Sequence, residues 1–400
     1  MVITLVGLAA YAVLGGADFG AGLWFLVTGR GEDQREVREQ TLHAMAPVWE
    51  ANHVWLIFVL VVCWTAYPVA FASIFSTLAI PLFIAALGII FRGTAYALRS
   101  GNPSPRQDSA IGIVFSLSSI LTPFALGAAA GAIASGRVPV GNAEGDLISS
   151  WVNPTSLLIG VIAVATAAYV AAVFLAADAA RQGDQDMIGA FRRRATGSGL
   201  VAGALALSGL LVLREDAPML FDGLTEGGGL LALIASGAAG VATIALVARS
   251  WLEPARYTAA IAVATIIAGW GLAQNPTFLP GLTIEDAAAS DETMVVLLVG
   301  LAFGALVLVP SLFLLFRLVL TGRFDPHARL DGPDPPMRAA AAEIRPKSLA
   351  PASASGAAGA ALLLLASASW LQILGALAML TAIAIALPAL VMRDQREERG

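Results

Sequence analysis

The chain has 400 residues, 58% of them hydrophobic and 13% charged, with a net charge of -5. A water-soluble domain carries about 25% charged residues, so this composition excludes an ordinary soluble protein. With a single cysteine, Cys63, a disulfide framework, a Cys-based zinc cluster and a C-x-x-C-H haem attachment are excluded too.

Ten apolar segments follow one another, near 2–28, 46–67, 71–91, 110–134, 155–177, 197–213, 229–248, 257–273, 293–320 and 358–391. Runs of about 18 apolar residues or more cross a bilayer as helices. The expected fold is therefore an all-α polytopic membrane protein, with nine core transmembrane helices in bundles and an extra C-terminal transmembrane helix. The first span begins at once, without a basic leader, so no cleavable signal is expected. Tyr67-Pro68 reads as a tight turn between the second and third segments, and Asn153-Pro154 as a turn or helix start before the fifth. No internal repeat is visible. Four regions result: a transmembrane core over 1–322, a Pro/Ala-rich cytoplasmic linker over 323–356, an appended transmembrane helix over 357–392 and a polar tail over 393–400.

The connecting loops divide by charge. Those after odd-numbered segments hold 18 Arg and Lys residues, counting Arg92, and those after even-numbered segments hold two, Arg137 and Arg214, beside acids such as Asp216, Asp222, Glu226, Glu285 and Asp286. Basic loops stay in the cytoplasm, which places the odd loops inside and the N-terminus outside. A missed helix would invert every later loop, so the asymmetry also supports the count of spans.

Few ionisable residues lie in the apolar segments, and such residues usually mark a pathway or a site. Asp18 sits in Gly15-Gly16-Ala17-Asp18-Phe19-Gly20-Ala21-Gly22, about ten residues and so roughly 15 Å from the end of its span. Gly15, Asp18 and Gly22 share a helix face, and Gly16 and Gly20 form a small-xxx-small pair beside it, which brings a neighbouring helix close. The bland reading of Asp18 is a helix-packing hydrogen bond. The second segment opens with Ala46-Pro47-Val48-Trp49-Glu50-Ala51-Asn52-His53-Val54-Trp55-Leu56. Glu50 and His53 share a face, with Trp49 and Asn52 beside them. A carboxylate near the cytoplasmic end takes protons from water, and an imidazole passes them on near its midpoint. Trp49 and Trp55 read equally as interfacial anchors. Arg92, in Phe91-Arg92-Gly93, reads as a cytoplasmic anchor of the third segment. Glu-x-x-His is a di-iron motif only when it occurs twice with two further acids, so no metal site is expected. With three histidines, His43, His53 and His327, the chain is a poor multi-haem binder. No nucleotide loop, nucleophile elbow or nucleic-acid motif appears.

These residues resemble subunit II of the cytochrome bd-type quinol oxidases. The match rests on the Asp18 helix, the run Pro47 to Leu56, Phe91-Arg92-Gly93 and Asn153-Pro154, in that order, over about residues 1–322. The resemblance implies a respiratory complex of the prokaryotic cell membrane that oxidises quinol and reduces oxygen to water. It implies that haem b, haem d and the quinol site belong to a homologous subunit I, that this chain packs against it as a heterodimer with small accessory subunits in some members, and that it binds no haem itself. Some members hold a structural quinone in this subunit. The residues matching Asp18, Glu50 and Arg92 belong to a proton path from the cytoplasm towards haem d, with Arg92 at its cytoplasmic end. The family often has an acid where this chain has Ala97, and Asp is frequent at the Glu50 position.

Drawing protons from the cytoplasm while quinol releases its own outside makes such a reaction electrogenic without a pump. A proton-coupled transporter is the alternative, against which stand the missing inverted repeats and broken helix pairs. A structural membrane partner that shields subunit I's haems is the third reading.

Overall fold

The structure is a computed structural model that describes residues 1–27, 52–99, 105–320 and 358. It divides into two compact units, residues 1–98 with 109–319, and residues 99–108 with 320–400. The first holds the helical core. The linker, the appended helix and the tail expected after 322 lie outside the described residues, apart from Ala358.

In chain order the helices are α1 (Val2–Val27), α2 (Asn52–Ala66), α3 (Pro68–Thr77), α4 (Ala79–Arg99), α5 (Pro105–Ala134), α6 (Pro154–Gln182), α7 (Gln185–Asp216), α8 (Pro218–Thr225), α9 (Gly227–Ala248), α10 (Leu252–Gln274) and α11 (Asp291–Leu320). A two-stranded antiparallel hairpin, β1 (Thr277–Leu279) with β2 (Leu282–Thr283), precedes α11. Among the described residues eight helices are long and apolar enough to span a bilayer, nine if α2 and α3 are one bent span. The chain is an all-α multi-pass membrane protein.

The third expected segment, 71–91, is corrected by the structure. The chain turns by 120° between α2 and α3 at Tyr67-Pro68, runs through ten-residue α3, breaks at Leu78 and only then enters α4. Proline has no N–H to continue a helix and starts one well, which accounts for the bend. The break at Leu78 lies between Ser76-Thr77 and Pro81, which sits in the first turn of α4.

Helix α6 is the centre of the core. Asn153 caps it, its side chain accepting from Ser156 N at 3.0 Å with Pro154 in the first turn. Gly183, at φ 76°, ends it, and Asp184 caps α7 by accepting from Met187 N at 3.0 Å. Helices α1, α7 and α10 pack on α6. Their shared core comprises Ala17 and Ala21 of α1, residues 169–177 and Ala179 of α6, and Phe191, Ala195, Ala255 and Ala259 of α7 and α10. At the end bearing the α6–α7 and α9–α10 connections, Arg192 donates to Val247 O at 3.0 Å and Ala248 O at 2.7 Å, capping α9. At the opposite end Asp216 receives Arg137 Nη2 at 2.6 Å, Thr155 Oγ1 at 2.6 Å and Thr155 N at 3.1 Å, tying the α5–α6 loop, α6 and α7 together. There too the hairpin covers the bend, with Phe278 stacked on Tyr67 at 5.1 Å. Large apolar side chains such as Leu207, Leu211, Val296, Phe303 and Leu306 stay exposed, as expected of helices that meet lipid or another membrane subunit.

Candidate functional site

Among the described residues one ion pair is fully buried in the bundle. Asp18 of α1 and Arg92 of α4 are both 0% exposed. Arg92 Nη2 donates to Asp18 Oδ1 at 2.6 Å and Nε to Oδ2 at 3.1 Å, a two-pronged pairing, and Nη2 also donates to the Asp18 carbonyl at 2.5 Å. A planar guanidinium matches a carboxylate in this way, and a lysine does not. Asn52 Nδ2 of α2 donates to Asp18 Oδ2 at 3.0 Å, and the Tyr96 hydroxyl to Oδ1 at 3.3 Å. The remaining nitrogen of Arg92, Nη1, donates to Ser119 Oγ, which donates in turn to Phe115 O.

Aromatic faces close the cluster. The Arg92 guanidinium carbon lies 4.1 Å from the Phe115 ring centroid, 5.0 Å from that of Phe19 and 5.5 Å from that of Tyr96. A desolvated cation gains about 2 kcal/mol or more over such a face. A buried ion pair is stable only when its geometry and remaining hydrogen bonds are good, and this one meets both conditions.

The glycines around Asp18 serve two neighbours. A Cβ on Gly22 would stand 2.0 Å from Ser119 Oγ and 2.7 Å from Arg92 Nη1, so only glycine leaves room for that hydrogen bond. Gly20 faces α6 instead: a Cβ there would lie 1.9 Å from Ala167 O. Gly16 faces Ala167 as well, where a Cβ would make ordinary contact with Ala167 Cα at 3.7 Å, and Gly15 lies under the ring of Tyr11. Asp18 therefore faces α2, α4 and α5 while the other side of α1 is pressed on α6.

The structure thus unites Asp18, Asn52, Arg92 and Gly22. It corrects the reading of Arg92 as a cytoplasmic anchor: the side chain points into the bundle, seven residues and so about 10 Å before the end of α4, because the Asp18 carboxylate is there. His53 is half-buried on α2, and Trp55, also half-buried, packs edge-on against Phe58 at 5.8 Å. Glu50 and Trp49 lie outside the described residues. Tyr96, Ser119 and Phe115 belong to the cluster without having been expected. Tyr96 follows Arg92 by four residues and so shares its face, which is the signal that sequence offered. Among the described residues no group of three His, Cys, Asp or Glu side chains could hold a metal ion, and His53 is the single imidazole.

These features define a multi-pass helical membrane protein with a fully desolvated acid–base pair in its core. The profile of the family Cytochrome bd terminal oxidase subunit II matches residues 1–319. The chain belongs to that family. It is 28% identical over 169 residues to cytochrome bd-I ubiquinol oxidase subunit 2 of Escherichia coli (strain K12), a stretch covering 40% of this chain and 43% of that one. To cytochrome bd ubiquinol oxidase subunit 2 of Bacillus subtilis (strain 168) it is 28% identical over 163 residues, 40% of this chain and 47% of the other. The chain thus spans under half the length of these two curated relatives. Among solved structures, the bd oxidase from Geobacillus thermodenitrificans is similar with a TM-score of 0.66 and 26% identity, over 80% of this chain and 99% of the other.

Proposed function

We propose that this chain is the non-haem subunit of a bd-type quinol oxidase, which couples quinol oxidation to the reduction of oxygen to water. Its place is the prokaryotic cell membrane, with the N-terminus outside. It packs along a haem-bearing subunit I, which carries haem b, haem d and the quinol site. Family membership and the likeness to a solved bd oxidase support this. Bound haem would supply the oxygen chemistry; this chain's residues would supply the protons.

The observation that carries the reading is the Asp18–Arg92 pair. Desolvating two charges is costly, and a bundle that only shielded a partner from lipid would not need them. Glu50 and His53 take protons from the cytoplasm, and the pair holds a polar track open beyond them. Asp18 anchors that track, its carboxylate oxygens engaged by Arg92, Asn52 and Tyr96. Where the family often has an acid, at Ala97, this chain has the neighbouring Tyr96 hydroxyl on Asp18.

The test is the complex purified from its own membranes through a tag on this chain. Haem b and haem d bands in its reduced-minus-oxidised spectrum, with a co-purifying haem-bearing subunit, are expected. Glu50→Gln and Asp18→Asn should each slow oxygen reduction and the coupled proton uptake. Unchanged uptake in both would remove the proton path, and a colourless single-chain preparation would remove the oxidase reading.

A further inference from the structure

Two polar atoms beside the ion pair are not used by it. Tyr11 stands seven residues before Asp18 on the same face of α1, two turns and so about 10 Å away. It is 8% exposed, and its ring lies over Gly15, 3.4 Å from where a Cβ would be. Its hydroxyl has no hydrogen-bond partner in the protein, and neither has Oδ1 of the fully buried Asn52, whose Nδ2 is spent on Asp18. Buried polar atoms are rarely left so, and internal water is their usual partner.

The order of these groups along the membrane is fixed by the pairing of α1 with α2. The Met1 amine donates to the Tyr67 hydroxyl at 2.7 Å, a Cβ on Gly7 would touch Phe58 at 2.7 Å, and Asn52 meets Asp18. The two helices therefore run antiparallel. From the end bearing the 28–51 connection, Asp18 comes first, about 5 Å before the midpoint of α1, and Tyr11 next, about 5 Å beyond it. At Asp18 both carboxylate oxygens are engaged by Arg92, Asn52 and Tyr96. The next group on that face able both to donate and to accept is the Tyr11 hydroxyl.

We infer that Tyr11 is a proton-relay residue, its hydroxyl and Asn52 Oδ1 holding internal water on the way from the Asp18–Arg92 pair across the middle of α1. A protonated water on the Asp18 side gives a proton to the phenol oxygen as the phenol's own proton leaves to water on the far side. Rotation of the hydroxyl resets it. One proton enters, one leaves, and no oxidant or reductant is needed. The inference rests on the proton path proposed above and adds its station beyond Asp18.

Tyr11→Phe in the assembled complex is the test, because it removes the hydroxyl and nothing else. Proton uptake after rapid mixing of the reduced enzyme with oxygen should slow roughly three- to tenfold, with a changed solvent isotope effect, unchanged haem spectra and unchanged KM for quinol. A dry, idle hydroxyl predicts the contrary: its loss would leave uptake unchanged and raise thermal stability, since an unpaired buried group has been removed. That result beside a slow Asp18→Asn complex would overturn the role of Tyr11 alone. Unchanged uptake in both variants would overturn the underlying path and the relay with it. A Tyr11→Phe complex that fails to assemble would overturn the relay too, because the hydroxyl would then be holding structure.

Discussion

Removing Arg92 alone should harm this protein more than removing Arg92 and Asp18 together. In Arg92→Met the Asp18 carboxylate keeps only the Asn52 and Tyr96 donors and faces a desolvated site without its counter-charge. Breaking a buried pair from one side costs about 3–5 kcal/mol. The reverse break, Asp18→Leu, strands a guanidinium that retains the Ser119 hydroxyl and the Phe115 face, and costs a similar amount. The two losses would sum to about 6–10 kcal/mol if they were independent. In the double variant no charge is left. The remaining cost is that of the buried Asn52 amide, at about 1–3 kcal/mol, and a smaller one for the half-buried Tyr96 hydroxyl, whose long bond to Asp18 is gone as well. The Ser119 hydroxyl still has Phe115 O. The double variant should therefore be more stable than either single one, with a coupling of at least about 3 kcal/mol. Denaturant titration of the four detergent-solubilised complexes measures it. Losses that add, leaving a coupling near zero, would refute the claim that each charge is held by the other.

Three further outcomes follow from the packing. Gly20→Ala puts a Cβ 1.9 Å from Ala167 O and 2.7 Å from the Ala171 Cβ. Backbone cannot yield as a side-chain tip does, so a loss of about 1–3 kcal/mol or more is expected, whereas Gly189→Ala, with nothing within 4 Å, should change stability by less than about 1 kcal/mol. Asp216→Ala removes the acceptor of Arg137 and Thr155 at the start of α6. The pair is partly exposed, at 34% and 18%, so a loss of about 1–2 kcal/mol in thermal unfolding is expected. Asp146, in the α5–α6 loop, has its pKa lowered by the backbone N–H groups of Ser149 and Ile148 and by the Ser149 hydroxyl. A carboxyl depressed in the fold stabilises it above its unfolded value, about 3.9, and that contribution is lost as pH falls through the folded value below it. Amide exchange at 148 and 149 should thus rise at acid pH in the native protein and show no such rise in Asp146→Asn.

Hydropathy found the spans because it reports what α6, α9 and α11 are made of. It failed where a helix and an apolar run do not coincide. Ser76 and Thr77 precede Leu78 and Pro81 follows it, but the average over 71–91 stays apolar, so a hydropathy window does not sense that α3 ends there and α4 begins. The opposite error shortened α7 to 197–213. Its first turns carry Arg192, Arg193 and Arg194, which are too polar for a span but continue the helix from the Asp184 cap. Local chemistry did better. Asn153-Pro154 marked the start of α6 because an Asx cap and a proline in the first turn act within four residues. Tyr67-Pro68 marked the bend for the same reason.

The site was legible in its acid and not in its base. Asp18 stood out as a carboxylate deep in the first span. Arg92, between Phe91 and Gly93 near a helix end, has the surroundings of an anchor. A carboxylate in hydrocarbon needs a cation or a proton, and a cation must come from another span at similar depth. Arg92, seven residues inside the end of α4, answers to an acid nine residues inside the end of α1, and Tyr96 one turn away presents its hydroxyl to the same face. Removing Arg92 from the loop count leaves 17 basic residues against two, so the charge asymmetry does not depend on it. Ser119 could not have been chosen among the serines at 116, 118 and 119 of α5. Which of these faces α4 is set by the rotation of α5 in the bundle, and Gly22 fixes that rotation by giving one hydroxyl room beside the guanidinium.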